Sequence, residues 1–408
     1  MSTALPLEGV RVLDLSRILA GPTCTQLLGD LGAEVIKVEK PGEGDDTRKW
    51  GPPYVKDGAG QDTAESAYYL SANRNKRSVA IDIATEQGAE LVRRLLADCH
   101  VLVENFKVGG LTRYGLGYPQ LRERFPALVY CSITGFGQTG PYRERAGYDY
   151  LAQGYGGIMS LTGEPDGQPM KVGVGIADVM CGMYACVGVL AALRHAERTG
   201  EGQQIDLALL DSQVAWLINE GTNYLLSGKP PRRLGNQHPN IVPYRVFQAA
   251  DGHVILAVGN DAQFRRFCSF AGLDALPDDP RYATNLARVH HRDDLDALLP
   301  PVMAMRTIRE WVDGLNALGV PCGAVNTLPD VFASPQVRAR GMKVDVPHES
   351  AGSGTVPLLA NPLRLSETPV QYRQGPPTLG QHTDLVLRER LGLEEDELER
   401  LRDHKVIG

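Results

Sequence analysis

The residue best placed to do chemistry is Asp178, which lies between the glycine-rich extended run KVGVGIA and the long apolar segment DVMCGMYACVGVLAALRHAER at 178–198. Such an apolar segment is typical of a helix buried in a protein core. A carboxylate at its N-terminal end lies at the positive end of the helix dipole, beside backbone N–H groups without intrahelical partners, which favours the ionised form. Asp is also a favoured N-cap. The position alone therefore leaves a capping role and a nucleophilic role open.

A second motif, GFGQTG at 135–140, fits the pattern G-x-G-x-x-G and follows a predicted strand. A dinucleotide fingerprint opens directly into a helix and is followed about 20 positions later by an acidic residue at the end of the next strand. Here Pro141 and the polar run PYRERAGYDY follow instead. We interpret the motif as a mobile glycine loop over a ligand and not as an NAD site.

Other reactive side chains give weaker patterns. No histidine has metal-ligand spacing except the adjacent pair His290 and His291, whose side chains cannot easily converge, and no G-x-S-x-G elbow is present. The seven cysteines are scattered without a C-x-x-C pair. This is typical of a reduced cytosolic protein, and it predicts neither a disulfide framework nor a metal site.

The elements that must position Asp178 follow an alternating order. β-Branched apolar runs alternate with segments of helical spacing, which indicates βαβ units, a parallel sheet covered on both faces and a Rossmann-like α/β architecture. The predicted strands are 10–16, 33–39, 77–82, 100–106, 127–134 and 203–211, and the predicted helices are 21–32, 85–98, 178–198 and about 212–226. The polar, Gly- and Pro-rich stretch 40–62 is predicted to lack regular structure, as a substrate-facing loop or a disordered excursion.

The sequence changes character after residue 227. The run YRVFQAADGHVILAVG reads as two strands joined by an Asp-Gly turn, and helices are predicted at 261–271 and 289–317. We therefore predict three segments: a first part of a large domain (1–227), a small α+β domain (228–325) and a return segment (326–408) that completes the large domain and ends in two amphipathic helices.

The composition argues against a nucleic-acid-binding protein and against a membrane protein. The chain has 408 residues, 22% of them charged, and a formal net charge of −7 without a basic, aromatic-rich run, so we expect no nucleic acid partner. The N-terminus lacks the features of a signal peptide, and no window approaches about 18 uninterrupted apolar residues. We expect a cytoplasmic protein that does not enter a membrane.

Motifs along almost the whole chain resemble one known family. They are VLDLSRILAGP, GAEVIKVEKPGEGD, NRNKRSVAIDI, VENFKVGGLTRYG, GFGQTGPY, GYDYLAQGYGGIMSLTG, VGVGIADVMCGMYACVGVLAAL and LGQHTD, in this order. Together they resemble the CaiB/BaiF family, the class III CoA-transferases. The resemblance implies an interlocked homodimer, a CoA thioester as substrate and no permanently bound cofactor. It also implies that Asp178 is the nucleophile, which carries first an acyl anhydride and then an aspartyl-CoA thioester.

Within the resemblance, one position distinguishes CoA-transferases from related enzymes that catalyse proton transfer. The α-methylacyl-CoA racemases share the fold and have His in a Gly-His-Asp motif, where this chain has Tyr148 in GYDY. A phenol, with an ordinary pKa near 10, is a poor replacement for an imidazole near 6.5. Tyr148 favours acyl transfer. Racemase-type chemistry and formyl-CoA:oxalate or carnitine-type CoA transfer are the alternatives.

The resemblance also implies binding residues. For CoA these are Arg17, Ile18, Leu19, Lys40, Ile81, Asp82, Ile83, Ala84, Asn105, Phe106, Arg113, Gly147 and Asp149. The second domain looks most like the succinyl-CoA:glutarate branch, and its segment GNQHPNIVP, which starts at Gly235, replaces a glycine-rich flap. A dicarboxylate needs a cation for its distal carboxylate. Arg17, His238 and Arg245 are the candidates, and each is equally suited to an ordinary structural ion pair.

Overall fold

The computed structural model describes residues 4–408. Its strands are β1 (Arg11–Asp14), β2 (Glu34–Glu39), β3 (Tyr54–Lys56), β4 (Asp62–Ser66), β5 (Lys76–Ala80), β6 (Val101–Glu104), β7 (Val129–Thr134), β8 (Gln204–Ala208), β9 (Tyr244–Ala249), β10 (Gly252–Ala257), β11 (Cys322–Ala324), β12 (Lys343–Pro347) and β13 (Thr355–Leu359). Its helices are α1 (Ala20–Asp30), α2 (Ala67–Ser71), α3 (Glu86–Leu96), α4 (Tyr118–Arg124), α5 (Asp149–Tyr155), α6 (Ile158–Leu161), α7 (Ile176–Thr199), α8 (Leu209–Ala215), α9 (Ile218–Ser227), α10 (Asp261–Ala271), α11 (Asn285–His290), α12 (Arg292–Met303), α13 (Ile308–Ala317), α14 (Leu328–Ala333), α15 (Pro335–Ala339), α16 (Thr383–Leu391) and α17 (Glu395–Asp403).

The chain forms two compact units. The first contains the residues up to Ile158 together with Lys171–Leu226 and Arg338–Gly408, and the second contains Met159–Met170 and Ser227–Val337. The predicted boundary at 227/228 lies one residue from the start of the main part of the second unit. The return to the first unit comes at 338 where the sequence suggested 326, because α14 and the start of α15 still belong to the second unit.

The first unit is built on a six-stranded sheet in the order β5-β2-β1-β6-β7-β8, with every pair parallel. One face packs on residues of α3, α4, α16 and α17, and the other on residues of α1 and α7. A parallel sheet covered on both faces explains why its strands are continuous apolar runs. The predicted α/β architecture with a parallel sheet is confirmed.

Helix α7 crosses one face of this sheet in close contact with α1. A Cβ added at Gly182 would lie 2.5 Å from the carbonyl oxygen of Ala20, so only glycine permits this approach of the two helices. Among residues 4–408, α7 is the one helix long and apolar enough to cross a membrane by length and composition, and half of its apolar window is buried inside the protein. This burial against α1 is that of a core helix.

The stretch 40–62 is not irregular throughout, contrary to the sequence-based expectation. A 3-10 turn at Asp46–Lys49 is capped by Asp45, and β3 pairs with β4 in an antiparallel hairpin. The hairpin was missed because its strands are short and mostly polar. Without an alternating apolar pattern, short strands leave no periodic signal in the sequence.

The second unit contains an antiparallel sheet in the order β11-β10-β9, which includes the predicted hairpin. Its core includes Phe264, Phe267 and Trp311. The single helix predicted at 289–317 is wrong, because the segment contains α12 and α13 and the end of α11. The break before α13 is fixed by Thr307, which forms a capping box with Glu310.

Candidate active site

Asp178 is the third residue of α7, and the N-cap position is occupied by Gly175. The Asp178 side chain is only 7% exposed. Burial raises its pKa to about 7, and the negative charge of Asp149 adds to the rise. Burial thus opposes the ionised form of the carboxylate, which the helix dipole favours. Such a shift is typical of reactive carboxylates in enzyme sites.

Asp149, the first residue of α5, is the group that caps α7. Its Oδ1 accepts hydrogen bonds from the backbone N–H groups of Ala177 at 2.8 Å and of Asp178 at 3.2 Å. Its Oδ2 accepts a 2.7 Å bond from Gln153, whose own Oε1 accepts the N–H of Val172. The N–H groups that the sequence suggested were unpaired at this helix end are thus occupied. Asp149 was expected at CoA, and the structure shows it holding the backbone of Asp178.

The two residues before Asp149 have different surroundings. Gly147 crosses the backbone of Gly135, and a Cβ added at Gly147 would lie 2.1 Å from the Cα of Gly135. Gly147 is therefore required for this crossing, whatever it contributes to ligand binding. Tyr148 is the N-cap residue of α5 and is 62% exposed. An exposed phenol at this point is available to a ligand.

A cavity of about 290 Å³ opens in the first unit at the carboxyl ends of β1, β2 and β6. This edge of an open parallel sheet is where ligands of α/β proteins generally bind. Seven of the residues that the resemblance assigned to CoA line the cavity: Arg17, Lys40, Ile81, Asp82, Ile83, Ala84 and Phe106. Lys49 and Tyr114 also line it, and neither was predicted.

Of the other predicted CoA residues, Ile18, Asn105 and Arg113 each adjoin in sequence a residue that lines this cavity. Asn105 donates to the Arg17 carbonyl at 2.7 Å and accepts the Arg17 N–H at 2.9 Å, so it supports the chain that carries Arg17. The guanidinium of Arg113 lies 4.6 Å from the ring of Tyr114 and does not itself line the cavity. Ile18 has φ = 72°, a rare conformation for a β-branched residue.

Leu19 connects the cavity region to the start of α7. A Cβ added at Gly175 would lie 3.1 Å from Cδ2 of Leu19 and 3.6 Å from the carboxyl carbon of Asp149. Leu19 thus packs beside the N-terminus of the helix that carries Asp178. Only two residues earlier in the chain, Arg17 lines the cavity. One short loop therefore connects the cavity to the helix end that carries the buried carboxylate.

The cations of the cavity are partly neutralised by neighbouring carboxylates. Arg17 pairs with Asp46 at 2.9 Å, and Lys40 pairs with Glu43 at 2.5 Å. All four side chains are about half exposed. Exposed pairs of this kind contribute little to stability and are easily exchanged for other partners. An anionic ligand can replace either carboxylate.

The substrate-binding residues predicted in the second unit are engaged in structural contacts. The N–H of Gly235 donates to the carbonyl of Gly163, and the N–H of His238 donates to the carbonyl of Tyr244. Arg245 pairs with Asp296 at 2.8 Å. The sequence did not single out Arg292, which donates to Gln237 at 2.8 Å and to the carbonyls of His238 and Pro239 at 2.9 and 2.7 Å. These bonds give the segment after Gly235 a defined shape.

Comparisons with a family model, with related sequences and with solved structures all point to the same family. The family model described as CoA-transferase family III matches residues 7–383. The succinate–glutarate CoA-transferase of Agrobacterium fabrum is 52% identical over 94% of this chain and 95% of its own length. The succinyl-CoA:glutarate CoA-transferase of Mus musculus is 44% identical over 98% of this chain and 90% of its own. A CaiB/BaiF family protein from Brucella suis has a crystal structure that matches with a TM-score of 0.84 and 49% identity, over 95% of this chain and all of that one.

The chain belongs to the CoA-transferase family III. The resemblance inferred from the motifs is confirmed, and the protein is a CoA-transferase. As a family III CoA-transferase it uses CoA thioesters as substrates.

Sequence reasoning missed two aromatic residues, Tyr68 near Asp178 and its ring neighbour Trp50. The ring of Tyr68 lies 5.1 Å from that of Trp50, edge to face. Burial raises the pKa of Tyr68, and the next causes are the negative charges of Asp178 and Asp149, so this phenol lies near both carboxylates. Trp50 lies within the polar stretch 40–62 that was predicted to be irregular, and Tyr68 lies just after it in α2, so no periodic pattern marked either residue. In this family III transferase they are additional candidates for substrate contact.

The glycine motif at 135–140 does not continue into a helix, since the next helix is α5. The N–H of Gln138 within it donates to the carboxylate of Asp206 at 3.0 Å. Residues 4–408 contain no group of three or more His, Cys, Asp or Glu side chains placed to hold a metal ion. The geometry thus offers this transferase no dinucleotide fingerprint at the motif.

Proposed function

We propose that the protein transfers CoA reversibly from succinyl-CoA to a dicarboxylate such as glutarate, with Asp178 as the nucleophile. The observation that carries the proposal is the placement of Asp178, a nearly buried carboxylate at the start of α7, beside a loop that reaches into the cavity. Relatives named for succinyl-CoA and glutarate, at 44–52% identity over nearly the whole chain, support this choice of substrates.

The proposed reaction begins with attack of the Asp178 carboxylate on the succinyl-CoA carbonyl. The C–S bond breaks, and CoA leaves as a thiolate while a mixed anhydride forms on Asp178. The thiolate then attacks the aspartyl carbonyl of the anhydride, which releases succinate and leaves an aspartyl-CoA thioester. Splitting the transfer in this way replaces one difficult step by several easier ones.

The second half of the proposed reaction reverses these steps with the acceptor. The glutarate carboxylate attacks the aspartyl-CoA thioester, which expels CoA thiolate and gives a new anhydride. The thiolate attacks the glutaryl carbonyl, so glutaryl-CoA forms and the Asp178 carboxylate returns. No net proton is consumed. Because water would hydrolyse the anhydride and the thioester, the burial of Asp178 serves the reaction.

The cavity is the proposed site for the nucleotide end of CoA. Arg17 and Lys40 supply positive charge for phosphates, while Ile81, Ile83 and Phe106 supply apolar surface for the adenine. The ion pairs with Asp46 and Glu43 would be exchanged for phosphate contacts when CoA binds. The loop from Arg17 to Leu19 then gives CoA a short path from the cavity to the start of α7.

A homodimer is proposed from the apolar surface of the first unit, and its interlocking from the family resemblance. On α7, Met183, Tyr184 and Val187 are exposed, and the neighbouring helices α5 and α8 expose Tyr150, Leu151, Tyr155 and Val214. Contiguous exposed apolar side chains of this kind mark association surfaces. Sedimentation of the protein at monomer mass would contradict this proposal.

Intact-mass analysis tests the chemical proposal. The wild-type protein is incubated with succinyl-CoA, and its mass is compared with that of Asp178→Ala and of a control, Asp211→Ala, which removes an exposed acid in the first turn of α8. We expect a CoA adduct on the wild type and on the control, and none on Asp178→Ala. Absence of an adduct on the wild type across a panel of acyl-CoA donors would defeat the proposal. Solvent deuterium entering a 2-methylacyl-CoA without an acceptor acid would instead support a racemase.

A further inference from the structure

The loop formed by residues 16–19 holds a strained conformation at the wall of the cavity. It connects β1 to α1, and its Ile18 has φ = 72°. A β-branched residue adopts this left-handed conformation only when its surroundings impose it. The loop presents Arg17 to the cavity and Leu19 to the start of α7. Its shape therefore affects both ends of the proposed CoA path.

Side chains from distant parts of the chain hold the backbone of this loop. Asn105, 88 residues away, bonds both backbone polar groups of Arg17. The N–H of Ile18 donates to Oδ1 of Asp45 at 3.2 Å. Since backbone polar groups need hydrogen-bond partners, these distant side chains help to define the conformation of the loop.

Lys37 completes the set of contacts and is the centre of the inference. Its ammonium donates to the carbonyl of Ser16 at 2.8 Å and to Oδ2 of Asp45 at 2.9 Å. Both side chains of this ion pair are 0% exposed. Burial by itself lowers the pKa of Lys37, but the charges of Asp45, Asp14 and Glu39 raise it above its usual value. The pair is therefore ionised at neutral pH.

Asp45 also holds a second wall of the cavity. Its Oδ1 accepts the N–H of Thr47 at 3.0 Å and the hydroxyl of Thr47 at 2.8 Å, which caps the turn Asp46–Lys49. Asp46 and Lys49 from this turn line the cavity, as does Arg17 from the loop. One carboxylate thus fixes two walls of the cavity relative to each other.

We propose that the buried Lys37–Asp45 ion pair is a positioning device for CoA, which holds the loop 16–19 and the turn 46–49 in the arrangement that binds the nucleotide. A buried ion pair is weak support for stability, since apolar residues of similar volume often serve as well. Its bonds to two walls of one cavity give it a role that apolar residues could not fill. This inference rests on the proposed function, because it takes the cavity to be the site of CoA.

The test compares two double variants that each neutralise a buried ion pair of the first unit. Lys37→Met with Asp45→Asn removes the proposed positioning pair. Arg74→Met with Asp30→Asn is the matched control, since its pair has side chains 4% and 0% exposed and does not line the cavity. CoA affinity is measured by titration calorimetry, and KM and kcat are measured with succinyl-CoA and glutarate.

We expect the Lys37/Asp45 variant to raise the Kd of CoA and the KM of succinyl-CoA by about tenfold or more, since misplacing binding groups by fractions of an ångström has effects of this size. The KM of glutarate and kcat should change much less. The control should lose similar thermal stability and keep the Kd within about twofold. A merely structural pair would give both variants the same Kd.

The outcomes separate this inference from the proposed function. If the wild type bound no CoA, both would be wrong. If the wild type bound CoA and both double variants bound it equally well, only the positioning role would be wrong. Should the Lys37/Asp45 double variant fail to fold, the single Asp45→Asn variant keeps an oxygen for Thr47 and Ile18 and weakens only the contact with Lys37. We expect it to raise the Kd of CoA by at least about threefold, and an unchanged Kd would overturn the inference.

Discussion

The carboxylate of Asp149 accepts the backbone N–H of Asp178 at 3.2 Å, so one acidic residue fixes the main chain of another. The same carboxylate raises the pKa of the Asp178 side chain, as the second cause after burial. The carboxylate of Asp149 thus both orients the backbone of Asp178 and repels the negative charge of its side chain. A proposed nucleophile held in this way is well oriented and only partly ionised at neutral pH.

The pH dependence of the reaction should reflect the pKa of Asp178. Only the ionised carboxylate can attack a thioester, and the pKa of Asp178 is about 7. We therefore expect kcat/KM for succinyl-CoA to rise with pH through about 7 and to level off above it, because kcat/KM follows ionisations of the free enzyme. Initial rates at low succinyl-CoA concentration, measured from pH 5 to 9, give this profile.

Asp149→Asn is the matched variant for the pH profile. The asparagine keeps an oxygen for the N–H groups of Ala177 and Asp178 and removes the negative charge. We expect the acidic limb to move to lower pH without reaching the ordinary carboxylate range, because burial is the larger cause of the shift. A limb at the wild-type position would show that Asp149 does not affect the ionisation of Asp178.

Asp178→Asn should stabilise the protein at alkaline pH. A carboxyl whose pKa rises from 3.8 to about 7 on folding disfavours the folded state at high pH. The penalty is absent below pH 3.8, grows as the pH rises toward 7 and is complete above it, at about 4 kcal/mol. The variant should exceed the wild type in Tm by several degrees at pH 8 and match it near pH 4. Equal Tm values at pH 8 would contradict the raised pKa.

Gly147→Ala should destabilise the first unit. The new Cβ would lie 2.1 Å from the backbone of Gly135, and neither chain can move without disturbing β7 or the start of α5. We expect a loss of about 2 kcal/mol or more, seen as a lower Tm. Gly58→Ala is the control, since its added Cβ meets nothing within 4 Å and should change stability by less than about 0.5 kcal/mol.

The sequence predicted the parallel sheet well because its strands are buried on both faces and read as continuous apolar runs. The same reasoning could not show that Lys37, inside such a run, is fully buried. Its partner Asp45 comes from a polar stretch without a periodic pattern. The pairing exists only because the fold brings the strand and the turn together.

The sequence likewise predicted some residues of the candidate site and missed others. Family motifs singled out Asp178 and seven residues of the cavity. They could not show that Asp149 caps α7, because the acceptor and the N–H of Asp178 are 29 residues apart and in different helices. Tyr68 and Trp50 were missed for a similar reason, since contacts between distant segments leave no local spacing to recognise.

Substitutions of Arg245 and its partner test whether Arg245 binds the substrate or only forms a structural ion pair. It pairs with Asp296 at 2.8 Å, and both side chains are partly exposed. If Arg245 binds the distal carboxylate of the acceptor, Arg245→Met should raise the KM of glutarate by about tenfold or more, as loss of a charged hydrogen bond does. Asp296→Asn should not raise that KM, because it removes a competing carboxylate. Equal increases in both variants, with a lower Tm, would indicate a structural pair.

We expect a phosphate of CoA to replace Glu43 as the partner of Lys40. Their 2.5 Å pair is exposed, so water and salt screen it and little free energy opposes its opening. Lys40→Met should raise the Kd of CoA, whereas Glu43→Gln should lower it by about twofold to fivefold, because the ammonium is then free for the ligand.

Titration calorimetry with CoA at low and high salt measures both effects. The Lys40→Met variant should lose part of the salt dependence seen with the wild type, because one phosphate contact is gone. Lys56→Met is a suitable control, since Lys56 forms an equally exposed pair with Asp62 and does not line this cavity. If Lys40→Met and Lys56→Met had the same effect on the Kd of CoA, Lys40 would contribute only to the general charge of the surface.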